Sequence, residues 1–325
     1  MLFLCQCANI VPPSGGPKDK NSPELLSVEA GDKKIILTFN ENIQLKNQND
    51  FYTSPPLNLP KLNTQRNKLI LEGEWGKHEN YSLHFPSVIA DYNEGNLIEN
   101  LQILIPSKTT DTLSLKGTIK NTLKNEAAEG VWAVLYIYNV SNKDSALFLT
   151  TPNYIAKTNK DGEFSFPNLA DTTYWLFALS DEDRNLKYNL PEENIGFYAQ
   201  VISPYDEGVE ISLFNEHAKL DSISPLNIDS TSTVGKLVID SLPQNHIVEL
   251  LLNEKIIKRI PSANTLVIDS LTANTYQLRL IHDVNKNGIW DSGNLAERRQ
   301  AEAIIYYPKE IQLRENWDLE INWKE

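Results

Sequence analysis

The segment from Asp283 to Asp291 is the one best suited to chemistry in this chain. It runs Asp-Val-Asn-Lys-Asn-Gly-Ile-Trp-Asp, with oxygen-bearing side chains at alternate positions and a glycine at the sixth. This spacing lets oxygens converge on a hard cation, while the glycine allows a sharp turn. The pattern predicts a calcium site whose ligands are the side chains of Asp283, Asn285, Asn287 and Asp291 and the carbonyl oxygen of Ile289.

A β-turn closed by Asx hydrogen bonds is the alternative interpretation of this segment, because Asn and Asp tolerate left-handed backbone. Position twelve is Asn294 rather than the glutamate of an EF-hand, and the flanking residues are strand-like, so an EF-hand is not expected. A copy, Asp181-Glu182-Asp183-Arg184-Asn185, lies 102 residues earlier but has Leu186 in place of the glycine. Calcium and turn both stay open, and no cofactor is expected to be required.

Other catalytic patterns are missing from the sequence. No two of the five histidines have a spacing typical of a local metal site, and there is no G-x-S-x-G, H-E-x-x-H or glycine-rich phosphate loop. The many carboxylates leave a carboxylate-dependent hydrolase as a weaker alternative, since no pair of them is marked as a site. We therefore predict that the protein is not an enzyme and has no catalytic residues.

Composition restricts the class of protein further. In 325 residues, hydrophobic types make up 41%, which is enough for packed cores and excludes a disordered chain. Lys and Arg number 30 against 43 Asp and Glu, giving a net charge of −13. That balance argues against nucleic acid as a partner, because such binding depends on neutralising phosphates. No apolar run reaches the ~18 residues of a membrane span.

The elements that must position these residues are predicted to be strands. Short β-rich runs recur every 8–15 residues or so with Gly, Pro, Asn and Asp between them, as in β-sandwiches. We expect an all-β chain of three tandem sandwich domains at 22–107, 112–214 and 234–325, after a flexible lipidated tether at 1–21. An internal repeat supports this division, since Asn168–Leu176 returns 102 residues later as Ser270–Leu278.

The N-terminus carries both cysteines of the chain, Cys5 and Cys7, in a context typical of lipidation. Leu4 stands three residues before Cys7, and a Pro- and Gly-rich stretch follows. We expect Cys7 to be acylated in a precursor that begins upstream, because only six residues precede it and a signal peptide needs 15 or more. Two incidental thiols in a disordered terminus are the alternative.

Three stretches resemble known families. The residues Asn9–Asp19 after Cys7 resemble the start of a lipoprotein family common in Bacteroidetes-type bacteria. Residues 22–107 resemble the bacterial Ig-like domain of surface-layer proteins, through Ile35–Ile43, Ser54–Leu57 and Ile89–Asn96. Residues 113–212 resemble the transthyretin-like (carboxypeptidase-regulatory-like) domain, through Lys157–Phe164. The resemblance implies a lipid-anchored cell-envelope protein of largely unassigned activity and supplies no catalytic residue.

A further pattern is Asp, then Ser or Thr, then a small, aliphatic or Thr residue. It occurs seven times, whereas composition alone predicts roughly one occurrence. It resembles the acceptor rule of general O-glycosylation in Bacteroidetes-type bacteria. Turn-forming Asp-Ser and Asp-Thr pairs before strands are the alternative. The hydroxyl residues predicted to carry O-glycans are Thr112, Ser145, Thr172, Ser222, Ser230, Ser241 and Ser270.

From these features we expect a lipid-anchored outer-membrane glycoprotein that acts as a non-enzymatic scaffold or partner-binding subunit. Its partners would be other outer-membrane or cell-surface proteins, and the sequence leaves open whether it faces the periplasm or the cell surface. The alternative is a glycan-binding surface lipoprotein in which late aromatic residues contact carbohydrate. Those aromatic residues, which could equally be sandwich core, are Trp290, Tyr306, Tyr307, Trp317 and Trp323.

Overall fold

The structure, a computed structural model, describes residues 18–57, 60–75, 80–106, 113–139, 145–226 and 234–324. The chain forms two compact units, Met1–Thr110 and Asp111–Glu325. Strands dominate the described residues of both units, so the predicted all-β class is confirmed. No helix in the described parts of the chain has the length and apolar character needed to span a membrane.

The first unit has three antiparallel sheets, in the orders β1-β2-β6-β5, β4-β7-β9 and β3-β8. Alternation along β2 places Ile35, Leu37 and Phe39 in the core, as period-two patterning requires. Leu69 and Phe85 join the same core. The strands are β1 (Leu25–Ala30), β2 (Lys34–Phe39), β3 (Ile43–Leu45), β4 (Tyr52–Ser54), β5 (Lys61–Gln65), β6 (Lys68–Glu72), β7 (Tyr81–Pro86), β8 (Ile89–Asp91) and β9 (Asn100–Ile105).

The second unit holds two hydrophobic cores. We call residues 113–214 module 2 and residues 234–324 module 3. In module 2, the sheet β11-β10-β14 with β17 beside β10 faces the sheet β13-β12-β15-β16 across a core that includes Phe166 and Tyr174. Its elements are β10 (Leu113–Asn121), β11 (Glu126–Ala127), β12 (Trp132–Ile137), α1 (Ala146–Leu149), β13 (Tyr154–Lys157), β14 (Glu163–Leu169), β15 (Tyr174–Ser180), β16 (Asn194–Phe197) and β17 (Val209–Leu213).

Module 3 repeats this plan. The sheet β21-β18-β25 and the sheet β20-β19-β22-β23, with β24 beside β22, enclose a core that includes Ile268 and Tyr276. The strands are β18 (Val234–Asp240), β19 (His246–Leu252), β20 (Lys255–Pro261), β21 (Thr265–Thr272), β22 (Asn274–His282), β23 (Ile304–Tyr306), β24 (Ile311–Leu313) and β25 (Asp318–Asn322). Whether each core is a separate domain stays a prediction.

The internal repeat is visible in local geometry. Asn168 and Ser270 both have a φ of +57°, and the strand pairing shifts register beside each of them. Ala170 O accepts a hydrogen bond from the buried Tyr174 OH at 2.9 Å, and Thr272 O accepts the matching bond from Tyr276 OH at 2.7 Å. The two modules are therefore copies of one unit.

Each module pairs its first strand in parallel with its last. Gly117 of β10 lies opposite Val209 of β17, and a Cβ at Gly117 would lie 2.7 Å from Val209 O. Gly235 of β18 has the same close approach to Trp317 O, just before β25 begins. These glycines are needed because any side chain would push the last strand away.

Candidate functional site

The predicted calcium loop follows β22, and a buried carboxylate folds it. Asp283, only 7% exposed, accepts hydrogen bonds from Asn287 N at 3.0 Å and Gly288 N at 2.9 Å. Lys286 and Gly288 have φ values of +61° and +77°, so the chain turns tightly around this carboxylate. The glycine at the sixth position therefore occupies the left-handed conformation that the sequence pattern anticipates.

The polar side chains of the loop converge on one point. The Nδ2 atoms of Asn285 and Asn287 both lie 2.7 Å from Asp291 Oδ2. The oxygens of both amides are bonded to backbone N–H groups, and Asn285 Oδ1 accepts from Asn287 N at 3.1 Å. Asn287 Oδ1 accepts from Ile289 N at 2.9 Å. The structure thus brings the side chains of Asn285, Asn287 and Asp291 together, and the same bonds are also those of an Asx-closed turn.

A glutamate that sequence reasoning missed closes the loop from behind. Glu302 is 6% exposed, and its carboxylate accepts from Val284 N at 2.8 Å and from Asp291 N at 3.0 Å. Its backbone oxygen accepts from Trp290 Nε1 at 2.8 Å. Glu302 lies 11 residues after Asp291, so no local spacing pattern could have marked it.

The loop after β15 has the same construction in module 2. Asp181 accepts hydrogen bonds from Asn185 N at 3.1 Å and Leu186 N at 2.9 Å, the same two positions as in module 3. Leu186 has a φ of +58° where Gly288 has +77°. The turn therefore forms without the glycine, although a leucine in this left-handed conformation is strained.

A fully buried glutamate also closes this second loop. Glu193 accepts from Glu182 N at 3.3 Å and Asn189 N at 2.9 Å, positions equivalent to Val284 and Asp291. Carboxylate oxygens of Asp181, Asp183 and Glu193 all lie within 4.8 Å of one another. The pKa of Asp181 is raised, first by burial and also by Asp183, against the lowering effect of the Leu186 and Asn185 amides. Neighbouring negative charges of this kind are relieved by a cation.

Both loops lie beside the contact between modules 2 and 3. Tyr188, which follows the first loop, donates from its OH to Glu216 Oε2 at 2.8 Å. Leu295 N donates to the other oxygen of Glu216 at 2.7 Å. Burial first, and then Glu216, raises the pKa of Tyr188. One glutamate thus links the module 2 loop to the segment that follows the module 3 loop.

That segment, 292–301, lies against the aromatic face of module 2. The Arg298 guanidinium lies 4.3 Å from the Trp175 ring centroid and within 6 Å of the Phe177 and Phe197 rings. Gln300 Nε2 donates to Phe197 O at 2.8 Å. We call the segment 292–301 the latch, because its side chains hold module 3 to module 2.

The other predicted site residues are dispersed. Cys7, Thr112 and Ser230 lie outside the described residues. Among the remaining predicted glycosylation positions, Ser145, Ser222 and Ser270 are exposed, whereas Thr172 and Ser241 are half-buried.

The late aromatic residues do not share one environment. Trp290 is buried, and Tyr307 and Trp323 pack against the module 3 core with ring centroids 5.6 Å apart. Tyr306 donates from its OH to Leu123 O in module 2 at 3.1 Å. Trp317 is the most exposed of the five at 53%, and the Arg314 guanidinium lies 5.2 Å from its ring centroid.

No protein-family model and no curated protein matches the chain. Solved structures similar to it include fervidolysin from Fervidobacterium pennivorans, a keratinolytic enzyme related to subtilisin, at 15% identity and a TM-score of 0.24, over 55% of this chain and 26% of that one. The Bacillus anthracis TIE protein aligns at 11% identity and a TM-score of 0.21, over 95% of this chain and 58% of that one. The streptococcal ancillary pilin aligns at 11% identity and a TM-score of 0.21, over 80% of this chain and 79% of that one. At such scores these likenesses carry no argument about function.

Proposed function

We propose that this protein is a non-enzymatic scaffold or partner-binding subunit of an outer-membrane assembly, anchored by a lipid on Cys7. The observation that carries the proposal is the latch between modules 2 and 3. A desolvated cation–π contact contributes up to about 2 kcal/mol. Arg298 makes such contacts with three rings, and Glu216 and Gln300 add hydrogen bonds across the same boundary. A fixed pair of sandwiches suits a protein that holds partners at a set spacing.

Apolar exposure on module 2 supports a protein partner. Phe148 and Leu149 of α1 are 42% and 70% exposed, and Tyr138, just after β12, is 38% exposed. A hydrogen bond from Tyr136 OH to Thr150 O joins α1 to β12. Clustered exposed apolar side chains are typical of protein interaction sites.

Cross-linking and purification from membranes of the native host test this proposal. A protein that co-purifies in constant ratio with the wild type, and is lost with Leu149→Lys, is the expected result. Val267→Lys is the matched control, because Val267 is also exposed, at 52%, but lies on β21 of module 3. Retention on a polysaccharide with no protein partner would contradict the scaffold and favour the glycan-binding alternative.

The lipid anchor has a separate test. Cys7→Ser in the precursor should move the protein to the soluble fraction, since an acyl chain adds ~0.8 kcal/mol of membrane affinity per buried CH₂. Cys5→Ser is the control and should stay with the membrane. If the Cys7→Ser variant still fractionated with membranes and was labelled by palmitate, Cys7 would be the wrong residue.

We also propose that both acidic loops bind calcium, so that the cation stiffens the boundary between the modules. The support is the shared arrangement of Asp181 with Asp183 and Glu193, and of Asp283 with Asn285 and Asp291. Oxygen donors of this kind are the ligands that calcium prefers. Among the predicted O-glycan positions we favour Ser222, which is exposed and lies in the stretch before module 3, and the intact mass of host protein with and without Ser222→Ala tests it.

A further inference from the structure

Two histidines that are far apart in sequence lie side by side in module 3. His246 begins β19 and His282 ends β22, and the two residues are directly opposite each other in the antiparallel register. Their rings stack with centroids 4.8 Å apart and planes 18° apart. We propose that His246 and His282 form a two-imidazole site for a divalent transition metal, with copper(II) bound more tightly than nickel or zinc.

The backbone holds both residues in place. His246 N donates to Ser262 Oγ at 3.1 Å, and Ser262 N donates to His246 O at 2.8 Å. His282 N donates to Ala303 O at 2.9 Å. Because both Cα atoms are fixed by neighbouring chain segments, only rotation of the side chains is needed to bring the imidazoles onto one ion.

The tautomer of His246 suits metal binding. Its Nδ1 lies 2.7 Å from Gln244 O, and since a carbonyl only accepts hydrogen bonds, Nδ1 carries the proton. The lone pair of the neutral ring is therefore on Nε2. A backbone carbonyl that holds the far nitrogen in this way is the usual second partner of a metal-binding histidine.

The adjacent carboxylates belong to the loop after β22 and not to the histidine pair, because their hydrogen bonds come from backbone N–H groups of that loop. Asp283 follows His282, but its oxygens accept from Asn287 N and Gly288 N. The Glu302 carboxylate accepts from Val284 N and Asp291 N. The donors at this place are therefore imidazole nitrogens, which suit copper, nickel and zinc, with copper(II) the tightest, whereas calcium prefers oxygen. The site is chemically distinct from the calcium loop beside it.

The distance between the rings is compatible with a shared ion. A metal–nitrogen bond of about 2.0–2.1 Å places two bound nitrogens about 3 Å apart. With ring centroids 4.8 Å apart, one nitrogen of each imidazole can approach that separation when the side chains rotate about χ1 and χ2. Water would complete the coordination of the ion.

Copper(II) titration of the full chain tests the proposal. Cys5→Ser and Cys7→Ser form the background so that no thiolate binds the metal, and calcium in excess keeps copper from the acidic loops. Calorimetry should give one copper per chain, and His246→Asn or His282→Asn should each weaken binding by about tenfold or more. His217→Asn is the matched control, because His217 is exposed and should leave the affinity unchanged.

Electron paramagnetic resonance of the copper-loaded protein gives a second readout, because it reports the nitrogen ligands directly. Hyperfine structure from two nitrogens that is lost in both His246→Asn and His282→Asn supports the site. A spectrum with one nitrogen or none overturns it. So does an equal loss of affinity in His217→Asn, or unchanged binding in His246→Asn with an unchanged thermal melt.

Discussion

The loops after β15 and β22 share one carboxylate-centred turn but differ in the length of chain that leads from the turn to its buried glutamate. In module 2, Glu193 comes four residues after Asn189, and the chain enters the next strand at once. In module 3, Glu302 comes 11 residues after Asp291, and the added residues form the latch. In both modules the buried glutamate bonds the two ends of the loop and keeps the turn intact. The chain from the turn to the glutamate can therefore lengthen, and in module 3 the added segment forms an interface.

The outer faces of the two modules also differ, one being apolar and the other carrying buried charges. Val134 lies opposite Phe177 in module 2, whereas Glu249 lies opposite Arg279 at the equivalent position of module 3. Glu249 is fully buried and bonds Arg259 Nε at 2.6 Å and Arg279 Nε at 2.7 Å. One copy presents an apolar face that the latch covers, and the other satisfies its buried charges internally.

The largest expected effect is on this ion triad. Glu249→Gln leaves two arginines without a counter-charge, and we expect the free energy of unfolding to fall by about 3–5 kcal/mol. Urea denaturation measures the change. Glu297→Gln removes the exposed partner of Arg299 and should cost under about 1 kcal/mol. Equal small losses for the two variants would show that the triad is not a buried unit.

The equivalence of the loops is tested by Glu193→Ala and Glu302→Ala. Each variant removes a carboxylate that accepts backbone N–H groups, and hydrogen bonds to a charged group contribute about 1.5–3 kcal/mol each. We expect losses of about 3 kcal/mol in urea unfolding for both variants. A large loss in one module alone would break the comparison.

Calcium should stabilise both loops. At a hundredfold excess over Kd, binding to the native state alone adds about 2.7 kcal/mol per site. Calcium should raise the melting temperature of the wild type. The rise should be smaller in Asp181→Asn and also in Asp283→Asn. No shift in the wild type would leave the Asx-turn interpretation, and complete loss in Asp283→Asn alone would limit calcium to module 3.

The latch should contribute least. Arg298→Ala removes the cation–π contacts with module 2, and we expect a loss of about 2 kcal/mol together with faster proteolysis within the latch. Arg314→Ala is the matched control, because this arginine also contacts an aromatic ring, that of exposed Trp317, but lies outside the latch. Identical behaviour of the two variants would mean that the latch does not hold the modules.

Much of this fold is predictable from sequence, because half-buried strands have a clear period. The sequence predicts strands at Tyr81–Phe85 and Glu163–Phe166, and these lie within β7 and β14, each of which extends slightly further. Strands such as β25 (Asp318–Asn322) escape notice because their residues are largely charged or polar and half-exposed. Local pattern also predicts that Asn285, Asn287 and Asp291 of the module 3 loop lie together.

Long-range features are the ones that the sequence hides. Glu193 and Glu302 look like surface carboxylates, and only the fold shows that they are buried beneath the loops. Leu186 stands where the sequence pattern has glycine, so the pattern disfavours the module 2 loop. The backbone nevertheless adopts the left-handed conformation at this leucine. His246 and His282 are brought together only by the pairing of β19 with β22.

The parallel pairing of first and last strands has a mechanical consequence. Gly117–Asn121 runs alongside Val209–Leu213, and Lys236–Asp240 alongside Asp318–Asn322. A pull on the two ends of either module acts along these strands and loads all their ladder bonds at once in shear, whereas an antiparallel terminal pair opens one bond at a time. A protein tethered at one end and grasped at the other would resist tension through these two clamps.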